Sequence, residues 1–233
     1  MHIPDGFIDG PTSAAGGAVA VGLIGLSLKM AAKELDDRQA PLAGLTAAFV
    51  FAVQMLNFPV AAGTSGHLLG GCLAAVLVGP WVATVCLTVV LGVQALVFAD
   101  GGLSALGLNV ILMGAVTCFA GYAAFGLGRR LLPANKGNVA TSAGVAAWFS
   151  VIVSALVFIV FYALGGAGGA SITTVATAMV GVHALIGIGE GLITASTVAA
   201  VLTTRPDLVY GARDLQPRLE VRVPATSSLG GGR

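Results

Sequence analysis

Long hydrophobic runs separated by short polar stretches set the pattern of this 233-residue chain. A helix needs about 20 apolar residues to span the hydrocarbon core of a bilayer. We distinguish seven such runs, at about residues 12–29, 42–57, 66–79, 81–98, 103–127, 139–164 and 172–203. The third is short and glycine-rich, whereas the last two are longer than one crossing requires. The pattern predicts an all-α membrane protein with seven transmembrane helices.

Composition agrees with a membrane protein and excludes several other classes. Hydrophobic residues make up 57% of the chain and charged residues only 9%, against roughly 25% charged residues in a soluble domain. No basic patch with interleaved aromatic residues suggests nucleic-acid binding. The three cysteines lie within apolar runs without Cys-x-x-Cys spacing, so neither a disulfide framework nor a zinc site is predicted.

The basic residues indicate the orientation of the predicted helices. With seven spans, every lysine and arginine falls on one side of the membrane, which the positive-inside rule makes cytoplasmic. The N-terminus is then outside and the C-terminus is cytoplasmic. We expect a transmembrane domain over residues 1–204 and a disordered cytoplasmic tail over 205–233. The eleven residues are Lys29, Lys33, Arg38, Arg129, Arg130, Lys136, Arg205, Arg213, Arg218, Arg222 and Arg233.

The N-terminus does not resemble a secretory signal peptide, because acidic residues and no basic residue precede the first apolar run. We expect Met1 to be retained, since His2 is a bulky second residue. Its α-amine, the His2 backbone nitrogen and the His2 ring nitrogen can then form two fused chelate rings around one metal ion. A fourth nitrogen would complete a square, the geometry that suits Ni(II) and Cu(II). The alternative is that His2 belongs to a disordered end.

His67 is the candidate for the fourth nitrogen. It ends the segment Gly63-Thr64-Ser65-Gly66-His67 on the predicted outer side, where the N-terminus also lies. Glycines in this segment permit close backbone approach. A structural histidine at the membrane interface is the alternative reading.

Further polar residues on the spans could orient the ligands by hydrogen bonds. His183 and Glu190 are seven residues apart, so they share a helix face, and ionisable groups inside a bilayer usually face the interior of a bundle. Hydrogen bonds that only join helices are the alternative for each of them. The residues that could support the ligands are Asp5, Ser65, Asn109, His183 and Glu190.

No catalytic motif is present. The chain has no phosphate-binding loop of the G-x-x-x-x-G-K-[ST] type and no hydrolase triad. We therefore expect a transport subunit that is not an enzyme and that depends on ion coupling or on ATPase partners.

Three segments resemble a known family. They are MHIPDGF at the N-terminus, GTSGHLLGG over 63–71 and HALIGIGEGLIT over 183–194. They resemble the nickel/cobalt-specific substrate-binding membrane subunits of energy-coupling-factor (ECF) transporters, and the similarity covers about residues 1–204. The resemblance implies a seven-helix bundle with an extra N-terminal helix. It implies metal ligands on Met1, His2 and His67.

The resemblance also implies partners and a location. The partners are a membrane coupling subunit, two cytoplasmic ATPase subunits and a small two-span accessory subunit, in a prokaryotic plasma membrane. The transported ligand is Ni2+ or Co2+, and no resident cofactor is expected.

Two questions stay open at this point. The MHIPDG opening and a four-nitrogen square favour nickel, whereas family members that begin MHIMEG resemble the cobalt branch, so Co2+ uptake for cobalamin synthesis is the alternative substrate assignment. From another class, a self-sufficient proton-coupled metal carrier would use Glu190 and His183 as its relay. A structural membrane subunit with no ligand of its own is the third possibility.

Overall fold

The computed structural model describes residues 1–35, 39–56, 58–59 and 65–215, and helices dominate these residues. A π-helical segment, Val110–Val116, joins α5 and α6 into one continuous helix, and β1 and β2 are a two-residue antiparallel pair. The elements are α1 Gly10–Glu34, α2 Gln39–Gln54, β1 Phe58–Pro59, β2 Ser65–Gly66, α3 Gly71–Val78, α4 Pro80–Val97, α5 Leu106–Asn109, α6 Thr117–Leu131, α7 Lys136–Gly165 and α8 Ile172–Thr204.

Each of the seven predicted segments contains a helix, but these helices differ in length. Within the described residues, five are long and apolar enough to cross a membrane: Gly10–Glu34, Pro80–Val97, Leu106–Leu131, Lys136–Gly165 and Ile172–Thr204. In the second segment the apolar helix Ala40–Gln54 is shorter, and in the third, α3 has only eight residues. The all-helical membrane character is confirmed, and the count of seven spans stays a prediction.

Local sequence signals explain where the long helices begin. At the start of α1, α7 and α8, the side chains of Asp9, Asn135 and Ser171 each accept a hydrogen bond from a backbone N–H in the first turn. These are the residue types preferred at helix N-termini. Gly79, at φ 88°, separates α3 from α4, and Pro80 begins α4. A residue with a side chain rarely adopts the positive φ of Gly79.

Glycines set the closest contacts between the helices. A Cβ atom on Gly144 of α7 would lie 2.7 Å from the carbonyl oxygen of Gly191 of α8, and the reverse distance is 2.8 Å. A Cβ atom on Gly107 of α5 would likewise lie 2.5 Å from the Cα atom of Gly17 of α1. Small residues permit such approach in membranes, where dispersion contacts between helices replace the hydrophobic effect.

The N-terminal segment, residues 1–9, folds into the bundle. Hydrogen bonds join its backbone to the loops at one end: Gly102 N–H donates to Ile3 O at 2.8 Å, and Asp9 N–H donates to Gly165 O at 2.7 Å. Met1 is fully buried, and the hydroxyl of Ser154 donates to its sulfur at 3.3 Å. Ser154 precedes the end of α7 by eleven residues, which corresponds to about 16 Å of helix. The chain terminus therefore reaches the middle of the bundle.

The folded chain continues past our predicted boundary at residue 204. Residues Pro206–Leu208 and Tyr210–Leu215 form 3₁₀ helices, and Val209 and Ala212 are buried. Asp214 pairs with Arg129 at the end of α6. The first part of the predicted tail thus packs against the bundle, and residues 216–233 lie outside the described part of the chain.

We predict that Gly191→Ala destabilises the α7–α8 pair, because the new methyl group would meet the Gly144 carbonyl oxygen at 2.8 Å. Overpacking of this kind costs about 1–3 kcal/mol, which would lower the thermal midpoint in detergent. Gly189→Ala on the same helix is the control, since its methyl group would have only Leu68 Cδ2 at 4.0 Å. Equal midpoints for the two variants would contradict this account of the helix contact.

Candidate metal-binding site

His2 lies inside the bundle at the inner end of the N-terminal segment. It is 4% exposed, and its two ring nitrogens face two polar side chains. Nε2 lies 3.2 Å from Gln94 Oε1 on α4, and Nδ1 lies 3.1 Å from Asp100 Oδ1. Only Nδ1 can join the His2 backbone nitrogen in a six-membered chelate ring. The Asp100 carboxylate is thus beside the ring nitrogen that could bind a metal ion, where it could also balance the charge of that ion.

His67 presents a free nitrogen lone pair beside His2. The two rings stack with their centroids 4.6 Å apart and an interplanar angle of 27°. Nδ1 of His67 lies 2.7 Å from Leu68 O, and because a carbonyl oxygen only accepts, Nδ1 carries the proton. Nε2 is buried and has no hydrogen-bond partner among the described residues. A buried, unpaired imidazole nitrogen is unusual and is suited to metal coordination.

Glu190 of α8 holds the segment that carries His67. Its Oε2 accepts a hydrogen bond from Leu69 N–H at 2.6 Å, and its Oε1 accepts one from Gly70 N–H at 2.8 Å. The Gln54 side chain donates to Leu69 O at 2.6 Å. Non-helical backbone is tolerated at membrane depth only where protein groups satisfy it. These bonds therefore explain why the third hydrophobic run combines an extended segment with the short helix α3.

Asn109 holds the N-terminal segment in the same manner. Its Oδ1 accepts from Ile3 N–H at 2.8 Å, and its Nδ2 donates to Ile3 O at 3.1 Å. Asn109 immediately precedes the π-helical segment, a feature often found at functional sites. One buried amide side chain thereby satisfies both backbone groups of the residue that follows His2.

The α-amine of Met1 is buried with its residue inside the bundle. Burial lowers its pKa from 8.0 to about 4, and Asp100 and Glu190 oppose this shift in part. At neutral pH the nitrogen therefore keeps its lone pair. A metal ion could bind it without displacing a proton.

Of the five residues that we predicted to support the ligands, Asn109 and Glu190 hold the backbone beside His2 and His67. Asp5 instead accepts hydrogen bonds from Ser104 N–H and Oγ, at 2.8 and 2.6 Å, in an exposed turn. His183 is fully buried on α8, with its Nδ1 2.8 Å from Met179 O. Ser65 lies in β2, and its side chain is outside the described part of the structure.

Asp100 was not among the five residues that we predicted to support the ligands. Its neighbour, Gly101, has a φ of 93°, which favours glycine. A Cβ atom on Gly101 would lie 3.1 Å from His2 Cδ2. A glycine at this position therefore lets the loop lie close over His2 without backbone strain.

Side chains by themselves do not assemble a metal site in the described residues. No group of three or more His, Cys, Asp or Glu side chains is arranged to hold an ion there. His2 and His67 are therefore not part of a larger side-chain cluster among these residues. The α-amine of Met1 and the backbone nitrogen of His2 are further nitrogens at this buried end of the chain.

Comparison with known proteins identifies the family. Residues 2–208 match the family model for CbiM, the cobalt uptake substrate-specific transmembrane region. This chain belongs to the CbiM family. The match covers nearly the whole described chain and confirms the resemblance that the three sequence motifs indicated.

Relatives within and near the CbiM family are named for two metals. The cobalt transport protein CbiM of Sorangium cellulosum is 37% identical over 217 residues, covering 90% of this chain and 94% of that protein. The fused nickel transport protein NikMN of Rhodobacter capsulatus is 33% identical over 225 residues, covering 91% of this chain and 65% of that protein. A crystal structure described as a truncated transition metal transporter aligns with a TM-score of 0.82 at 30% identity, covering 87% of this chain and 99% of that one.

We predict that Asn109→Ala loosens the N-terminal segment, because Ile3 N–H and C=O both lose their side-chain partner. Leaving a buried polar group unpaired costs about 1–3 kcal/mol. The α-amine of Met1 should then react several-fold faster with an amine-specific ester, measured by mass spectrometry of the N-terminal peptide. Asn138→Ala, at an exposed helix start, should leave the rate unchanged. Equal labelling of Asn109→Ala and the unaltered chain would refute this role.

Proposed function

We propose that this CbiM-family chain is the metal-capturing membrane component of an ATP-driven ECF-type importer for Ni2+ or Co2+. The observation that carries the proposal is the juxtaposition of His2 with His67. His67 Nε2 is buried beside a buried chain terminus and has no hydrogen-bond partner among the described residues. The names of the CbiM and NikMN relatives support nickel or cobalt as the ion.

The proposed ligands are four nitrogens. Met1 supplies its α-amine, His2 supplies its backbone nitrogen and Nδ1, and His67 supplies Nε2. Binding displaces the amide proton of His2, so affinity rises with pH. A square of four nitrogens favours Ni2+, and we therefore place Ni2+ first and Co2+ second.

We further propose that the site opens to the outer side of a prokaryotic plasma membrane and that seven helical segments cross it. The loops at the site end carry Asp5, Asp9 and Asp100, whereas Lys33 and Arg129 lie in the last turns of helices that run to the opposite end. The positive-inside rule places the basic end in the cytoplasm. On this topology α2 and α3, although short, each complete a crossing together with the chain beside them.

Transport then requires partner subunits. The chain has no nucleotide-binding loop, so a membrane coupling subunit and two cytoplasmic ATPases would supply the energy, with a small two-span subunit as accessory. The proton-coupled carrier is the less favoured alternative. Both carboxyl oxygens of Glu190, its proposed relay group, accept backbone hydrogen bonds from Leu69 and Gly70.

The first test of the capture function is to extend the chain by one residue before Met1. The extension replaces the amine by an amide and should abolish tight, one-to-one Ni2+ binding, measured by titration of the purified protein. His67→Ala should also abolish it, because the fourth nitrogen is lost. His183→Ala is the comparison variant. It removes no nitrogen of the proposed square, so tight Ni2+ binding should remain.

Two results would argue against this site. Unchanged Ni2+ affinity in the extended chain would exclude the amine as a ligand. Metal uptake by the chain alone in vesicles under a proton gradient would favour the carrier.

We predict that Glu190→Gln lowers Ni2+ affinity although Glu190 is not a proposed ligand. The amide would turn an N–H2 group towards Leu69 or Gly70 N–H, so the segment that carries His67 would lose one of its two fixed bonds. Loss of a group that orients a metal ligand usually costs about 10–100-fold in affinity. Equilibrium titration of the two proteins measures the change.

Thr194→Val is the matched control for Glu190→Gln. Thr194 is buried on α8, four residues further along, and is not bonded to the 67–70 segment in the described structure. A similar loss of affinity in both variants would mean that repacking of α8, and not the hydrogen bonds of Glu190, is responsible.

A further inference from the structure

An apolar groove runs along the surface of the bundle between α6 and α7. Its volume is about 580 Å3, and none of its lining residues belongs to the candidate metal site. Small residues of the two helices form its floor, and large exposed apolar side chains stand at its sides. The floor includes Ala120, Ala124 and Ala146, and the sides include Leu127, Val145 and Phe149.

The groove is about half as long as a membrane crossing. Its lining residues on α6 extend from Ala120 to Leu131, which corresponds to about 17 Å of helix. The hydrocarbon core of a bilayer is about 30 Å thick. A transmembrane helix of a partner would need a groove across the whole core, whereas this groove matches the depth of one leaflet. Its length therefore favours the acyl chain of a lipid.

The polarity of the groove changes along its length. Arg130 and Lys136 stand at one end, on either side of the connection 132–135 between α6 and α7. The hydroxyl residues Thr141 and Ser142 follow within about 9 Å of helix from Lys136. From Val145 onwards, the lining residues of α7 are apolar or aromatic. A phospholipid has the same order of groups, with a charged phosphate, polar esters and then an apolar chain.

Arg130 is the arginine on the groove side of α6. It is exposed and follows the lining residue Ala123 by seven positions, so the two residues share a helix face. The preceding Arg129 instead pairs with Asp214 of the C-terminal segment. Among the described residues, neither Arg130 nor Lys136 is part of an ion pair. Both charges are therefore available to an anionic group at the mouth of the groove.

We propose that this groove binds one anionic phospholipid, with its phosphate between Arg130 and Lys136 and an acyl chain along α6 and α7. Basic pockets between transmembrane helices at the cytoplasmic side bind anionic lipid headgroups. The topology proposed above places this end of the bundle in the cytoplasmic leaflet. The lipid site does not depend on the metal ion, since it shares no residue with the proposed ligands.

The test is native mass spectrometry of the purified full chain, taken from detergent that contains equal amounts of phosphatidylglycerol and phosphatidylcholine with the same acyl chains. We expect one retained phosphatidylglycerol per chain. A basic residue at an anionic headgroup contributes about fivefold in affinity. Arg130→Gln should therefore lower phosphatidylglycerol affinity about fivefold, and the double variant with Lys136→Gln should lower it about twentyfold.

Matched variants separate the groove from the general surface. Lys29→Gln removes an exposed basic residue near the same end of the bundle, on α1, and should leave lipid binding unchanged. Ala123→Phe places a ring in the groove at an exposed position and should displace the lipid although both basic residues remain. Ala48→Phe, at an exposed position of α2 outside the groove, should have no effect.

Three results would overturn the proposal. Equal binding of the two lipids, or equal losses in Lys29→Gln and Arg130→Gln, would exclude headgroup recognition by Arg130. Phosphatidylglycerol retained by Ala123→Phe would mean that the acyl chain lies elsewhere. A dimer of the chain that disappears in Ala123→Phe would assign the groove to a second copy instead of a lipid.

Discussion

The carboxyl group of Glu190 supplies the hydrogen-bond acceptors that allow non-helical backbone to lie inside this bundle. It accepts hydrogen bonds from Leu69 and Gly70, two backbone groups that no helix satisfies. Without a partner, each would cost several kcal/mol in an apolar environment. Because they are paired, the chain before α3 stays extended and His67 reaches the bundle interior. The position of His67 and the start of α3 depend on these two bonds together with the bond from the Gln54 side chain to Leu69 O.

The N-terminal segment also needs hydrogen-bond partners for its backbone inside the bundle. Its backbone enters the bundle without regular structure, and Asn109 and the loop residue Gly102 satisfy Ile3. The two irregular segments then meet where the rings of His2 and His67 stack. In a bundle whose helices are held by small-residue contacts and dispersion, the buried hydrogen bonds of Gln54, Asn109 and Glu190 lie beside these two irregular segments. The helices provide a rigid frame, and the hydrogen bonds place the donors.

Hydrophobic pattern predicted the helices because length and polarity decide where a backbone can be buried. The same pattern could not distinguish an extended segment from a helix in the third run, since both bury the same apolar side chains. The predicted boundary at residue 204 missed the packing of Val209 and Ala212, because short 3₁₀ helices leave no periodic signal. Local chemistry singled out Met1, His2 and His67, whereas the contact of Asp100 with His2 depends on how a loop folds.

Charge balance links the buried terminus to a divalent ion. A dication that binds the proposed nitrogens and displaces the His2 amide proton leaves one net positive charge on the complex. Asp100, whose Oδ1 lies 3.1 Å from His2 Nδ1, supplies one negative charge at the same place. Burial of the resulting assembly costs much less than burial of an uncompensated charge. The neutral amine contributes to this balance, because an ammonium group would add a further charge and could not coordinate. The burial that lowers the pKa of the amine is therefore consistent with the proposed role of the terminus as a metal ligand.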